Sequence, residues 1–114
     1  MLVLLVSTDL MLISTVGGAA RMAGYRFLNE TRPDQLEPLL QDAQTLLCLD
    51  LNSMATEWES LVARTAPDVK KRAIAFGPHV HTARLQAAAE AGLGTVISRG
   101  QFVSKLPQYF VDAP

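Results

Sequence analysis

The sequence predicts a single α/β domain built on a five-strand, doubly wound parallel sheet with helices on both faces. Short apolar runs recur at residues 2–6, 25–28, 46–51, 72–76 and 95–98. Segments with helical spacing of apolar residues separate them, and 114 residues leave room for one crossover between successive runs. Strands that alternate with helices in this way pair in parallel through right-handed crossovers.

The first run, Leu2-Val3-Leu4-Leu5-Val6, is continuous, as expected of a strand covered on both faces. Thr8 or Asp9 caps the helix that follows, with Met11, Val16, Ala19, Ala20 and Ala23 as its apolar face. Gly17 and Gly18 each cost that helix about 1 kcal/mol relative to Ala, a cost that close packing on the sheet offsets. Gly24 ends it, where left-handed backbone is wanted.

Residues 25–28 form the second strand, and Arg32-Pro33-Asp34 a turn and cap before a short helix through Leu36, Leu39 and Leu40. Residues 46–51 are the third strand. Trp58, Leu61 and Val62 share one face of a third helix, which Pro67 closes. Lys70-Lys71-Arg72 reads as a solvated loop at the start of the fourth strand, residues 72–76, which ends at Gly77-Pro78. Thr82 caps a helix over 83–91 that is rich in Ala, Leu, Gln and Glu. Gly92 and Gly94 terminate it, residues 95–98 form the fifth strand, and a short helix around Val103, Leu106 and Phe110 follows.

A hydrophobic content of 49% against 18% charged residues excludes a disordered tail, and 6% aromatic content leaves the core to Leu, Val, Ile, Ala and Met. Ten basic and eleven acidic side chains form no basic patch, so neither nucleic acid nor a membrane surface is an expected partner. The single cysteine, Cys48, excludes an internal disulfide and reads as a buried thiol inside an apolar run. No basic residue precedes the apolar N-terminus, and Ser7, Thr8 and Asp9 break it far short of the about 20 residues a membrane span needs. A cytoplasmic protein is expected.

In doubly wound sheets, functional groups gather beyond the carboxyl ends of the strands. That edge should carry Ser7, Thr8 and Asp9, then Asp50 and Asn52, then Gly77 to His81, then Ser98 and Arg99. His79 and His81 could serve as loop or capping groups, contact a partner, or ligate a transition metal given further ligands. No phosphate-cradling glycine loop follows the first strand and no Gly-x-Ser-x-Gly elbow is present, so no residue is assigned as catalytic and no enzyme is expected.

Leu47-Cys48-Leu49-Asp50-Leu51-Asn52 looks like a strand ending in a phosphoacceptor aspartate. The stretch from Ala87 to Ile97, with Gly92-Leu93-Gly94 at its centre, and Ala23-Gly24-Tyr25 fall at matching distances. From Leu2 to Phe110 the chain thereby resembles the receiver domains of two-component response regulators. The resemblance implies a flavodoxin-like sheet of strand order 2-1-3-4-5 and Asp50 as phosphoacceptor. It implies Mg2+ held by Asp50, the backbone carbonyl of Asn52 and Asp9. Gly77, Val96 and Arg99 stand at the hydroxyl, aromatic and lysine positions of the switch.

Only Asp50 matches the receiver pattern outright. Ser7 and Thr8 stand where two acidic residues are usual, Asp9 falls one residue late, and Gly77 has no hydroxyl. Asp9 therefore has a second reading as a helix cap. Asp50 has one as a structural carboxylate that accepts backbone N–H groups or pairs with Arg99. The expected function is a stand-alone, degenerate receiver (a pseudo-receiver) of a phosphorelay that docks a histidine kinase or downstream effector, with a homodimer allowed. No output domain is expected beyond Pro114, so output is expected through that partner. Phe102, Val103, Leu106, Tyr109 and Phe110 are the candidate contact surface, with core packing as the competing reading. The alternative function is a small-molecule or metal-binding domain using Asp9, Asp50, His79, His81 and Arg99.

Overall fold

The computed structural model describes residues 1–53 and 57–111. Its elements run β1 (Leu2–Val6), α1 (Leu10–Met22), β2 (Arg26–Asn29), α2 (Pro33–Leu40), β3 (Thr45–Asp50), α3 (Trp58–Ala63) and α4 (Pro67–Arg72). They continue with β4 (Ile74–Gly77), α5 (Thr82–Glu90), β5 (Thr95–Ser98), α6 (Arg99–Ser104) and α7 (Leu106–Tyr109). The five strands form one parallel sheet in the order β2-β1-β3-β4-β5.

Side-chain alternation divides the core between the two faces of the sheet. Leu4 and Val6 point to the face covered by Leu36 and Leu40 of α2, Leu61 of α3, Val69 of α4 and Ala88 of α5. Val3 and Leu5 point to the other face, covered by Leu12, Val16 and Ala20 of α1, Phe102 of α6 and Leu106 of α7. The α1 and α6 helices thus share one face, which brings their N-termini to the same edge of the sheet.

β1 and β5 have the predicted bounds and β2 and β3 are each displaced by one residue, whereas β4 runs from Ile74 to Gly77 rather than over 72–76 because Arg72 belongs to α4. Ladder register decides the ends of β2 and β3: Leu2 lies opposite both Arg26 and Thr45. The buried side of α1 is Leu12, Val16, Gly17 and Ala20, while Met11 is 75% exposed, so the predicted apolar face is rotated. Gly24 and Gly92 adopt positive φ, as their helix-ending positions require.

Pro67 does more than close α3, because it opens α4 at a position where its missing N–H costs nothing. Lys70, Lys71 and Arg72 are the last turn of that helix rather than a loop. Cations favour that end of a helix, and the Arg72 guanidinium also bonds the carbonyls of Ala43 and Thr45. His81, not Thr82, precedes α5, and its side chain makes no capping bond.

The C-terminal segment is two short helices rather than one. Ser98 and Gln101 form a reciprocal capping box at the start of α6. Phe102, Leu106 and Phe110 are buried in the core, with Phe102 stacked on Phe76 at a centroid distance of 4.1 Å. Core packing therefore replaces the predicted contact role for these three. Val103 remains exposed and Tyr109 packs against the core.

Candidate functional site

Parallel pairing places Val6 opposite Leu49, so the residues that follow β1 lie beside the end of β3. The Ser7 hydroxyl donates to Oδ2 of Asp50 at 2.7 Å, and the Ser53 hydroxyl donates to the same oxygen at 2.9 Å. Oδ1 accepts the backbone N–H groups of Asn52 at 3.0 Å and Ser53 at 3.4 Å. Asp50 is 4% exposed and Ser7 is fully buried. A buried carboxylate without donors would cost several kcal/mol, and these four donors meet that requirement.

The hydroxyls extend this network. Ser53 Oγ accepts the Thr8 N–H at 3.0 Å and lies 3.1 Å from Thr8 Oγ1. Ser7 Oγ accepts the Asp9 N–H at 3.1 Å. Asp9 caps α1 by accepting the N–H groups of Met11 at 2.9 Å and Leu12 at 3.1 Å. Its other oxygen receives Nη2 of Arg99 at 2.5 Å. The Leu12 N–H and the Arg99 guanidinium hold the Asp9 carboxyl below the ordinary carboxylate value.

Of the two structural roles open to Asp50, the structure shows the acceptance of backbone N–H groups and not the pairing with Arg99. Arg99 is the first residue of α6, on the α1 face of the sheet, and it meets the N-terminus of α1 instead. Ser53 escaped the sequence reading. Its signal was the Asp-x-x-Ser spacing after a strand, a pattern in which Asp and Ser side chains bond nearby backbone.

The remaining candidates do not converge. Gly77 ends β4, and a Cβ there would meet Leu51 and Leu85 at an ordinary 3.7 Å. Val96 lies on the edge strand β5 opposite Ala75. His81 Nδ1 lies 3.3 Å from Nη1 of Arg84 on α5, whereas His79 lines a cavity beside α1 and α6. A backbone bond from His81 N–H to the Pro78 carbonyl makes the turn that carries the two histidines to different surroundings. Among the described residues no three His, Cys, Asp or Glu side chains cluster as metal ligands.

Magnesium takes a near-octahedral set of oxygens, usually one or two carboxylates with waters and phosphate. The residues present do not fit it. Asp50 faces four donors, Asp9 is committed to a helix terminus and a guanidinium, and the position beside Asp50 holds the neutral Ser7.

No protein-family model and no curated protein matches the chain. Its structure is similar to the crystal structure of a response regulator receiver domain from Rhodospirillum rubrum, with a TM-score of 0.73 at 14% identity. The likeness covers 97% of this chain and 92% of that one. The fold is that of a receiver domain. Within this receiver fold, hydroxyl donors fill the space around the β3 aspartate. No helix among the described residues is long and apolar enough to cross a membrane.

Proposed function

We propose that the chain forms a single receiver-like signalling domain, a pseudo-receiver that stays unphosphorylated and acts by docking a protein partner in the cytoplasm. The bond from Ser7 to Asp50 carries this reading. Attack on phosphorus requires a carboxylate oxygen with a free lone pair and a cation to offset the charge of the phosphoryl group. Oδ2 of Asp50 instead accepts two hydroxyls, and the neighbouring carboxylate is engaged by Arg99. Gly77 offers no hydroxyl that could follow a phosphoryl group.

Exposed Leu10 and Met11 at the start of α1, with Val103 on α6, supply apolar surface for a signalling partner such as a histidine kinase or an effector. The test is incubation with magnesium and acetyl phosphate, beside Asp50→Asn and a receiver known to react, read by intact mass. We expect no mass gain while the reactive receiver gains phosphate. A phosphate-sized gain that Asp50→Asn abolishes would overturn the reading.

A further inference from the structure

A cavity of about 670 Å³ opens on the α1 and α6 face, at the carboxyl edge of the sheet. Its walls include Met11 and Thr15 from α1, Pro78 and His79 after β4, and Arg99 and Val103 from α6. That volume lies within the about 300–1,000 Å³ of small-molecule sites, which pair apolar walls with a few orienting polar groups. Here the walls are mostly apolar, and the fixed charge among them is the Arg99 guanidinium.

Arg99 is incompletely used. Nη2 bonds Asp9, while Nε and Nη1 have no hydrogen-bond partner among the described residues, and the side chain is 41% exposed. A guanidinium presents five N–H donors in a planar fork that matches a carboxylate. The other polar walls add little charge. The Ser98 hydroxyl accepts the Gln101 N–H and the Ser104 hydroxyl donates to the Gln101 carbonyl, so both are engaged within α6.

We propose that this cavity binds a small amphipathic carboxylate, with its apolar body between α1 and α6 and its anion on Arg99. A larger polyanion would leave the apolar walls uncovered, and an uncharged apolar molecule would forgo the charge-assisted bond that the guanidinium offers. The site stands on the cavity and on Arg99, and it requires no chemistry at Asp50. A bound carboxylate shares Arg99 with Asp9. Asp9 in turn caps α1 and bonds Ser7, the donor to Asp50. Occupancy of the cavity is thereby linked to the helix that carries Leu10 and Met11.

The test is a titration of the ¹⁵N-labelled protein with decanoate, decanol and decylammonium, each below its micellar threshold. We expect decanoate to give saturable amide shifts centred on Thr15, Gly100 and Val103, with decanol and decylammonium weaker. Arg99→Gln should weaken decanoate about tenfold, as loss of a charge-assisted hydrogen bond implies, and leave decanol unchanged. Val103→Glu leaves the Asp9 contact intact, and it should repel decanoate even if Arg99→Gln misfolds. Equal affinity for decanoate and decanol would overturn the proposal, as would shifts scattered over the surface. Shifts at the same amides that grow with protein concentration alone would show a second copy in the cavity, and would overturn it too.

Discussion

Arg99 at the start of α6 holds Asp9 at the start of α1, with Nη2 2.5 Å from Oδ2 across a sequence separation of ninety residues. The contact joins two helices on one face of the sheet and leaves Asp50 to the hydroxyls of Ser7 and Ser53. The site therefore contains two separately satisfied carboxylates instead of a shared cation site.

Acid should weaken the fold through Asp9 and Glu30. The Leu12 N–H and Arg99 lower Asp9 from an ordinary 3.8, and Arg32 lowers Glu30 from 4.5 to about 2. A carboxyl depressed on folding stabilises above its unfolded value and loses that contribution as pH falls through its folded value. Urea midpoints should thus decline as pH drops from about 4.5 toward 2. Asp9→Asn should flatten part of that slope, whereas superimposable profiles would deny Asp9 the role.

Ser7→Ala removes one of two hydroxyl donors to Oδ2 of buried Asp50. A stability loss of about 1–2 kcal/mol is expected from the underbonded carboxylate. Thr8→Ala, at an exposed hydroxyl, should cost less than about 0.5 kcal/mol. Equal chemical denaturation curves for the two variants would mean that Asp50 does not depend on Ser7.

Gly94 and Gly18 should respond in opposite directions. A Cβ at Gly94 would lie 1.9 Å from the Lys71 carbonyl oxygen, and the Gly94 N–H donates to the Lys70 carbonyl at 3.1 Å. Gly94→Ala must separate the entry of β5 from α4, at a cost of about 3 kcal/mol or more. Gly18 is exposed inside α1, and a Cβ there meets nothing within 4 Å. Gly18→Ala should stabilise by about 0.5–1 kcal/mol. Thermal unfolding of both variants checks the pair, and a stable Gly94→Ala would contradict the close approach.

Burial pushes the Cys48 thiol up to about 12. The thiolate is the reactive form, so native protein at pH 8 should resist iodoacetamide and label only as it unfolds. Adding denaturant should raise labelling in step with the unfolded fraction. Prompt stoichiometric labelling of the native protein would place the thiol at an accessible site.

Local pattern carried most of the architecture. An unbroken apolar run marked β1, and Thr95 to Ser98 after the Gly92 and Gly94 breaks marked β5, both at their observed bounds. Thr8 or Asp9 marked the cap of α1, and the structure gives that role to Asp9. Asp50 was legible as the polar end of the apolar third strand, beside the carboxyl edge of β1. Helix α4 was not, because Pro67 fits either the end of one helix or the start of the next. Met11 was misplaced because an apolar side chain near a helix start satisfies helical spacing whether or not the sheet covers it.

The sequence by itself determined a parallel α/β sheet, its strands, and an aspartate where β3 meets the carboxyl edge. Those features follow from apolar periodicity and turn chemistry within a few residues. Only the tertiary structure decided which donor serves which carboxylate. Ser7 reaches Asp50 across 43 positions and Arg99 reaches Asp9 across 90, partnerships set by which helices share a face of the sheet. Hydrogen-bond geometry within about 3 Å depends on that packing, and no local pattern encodes it.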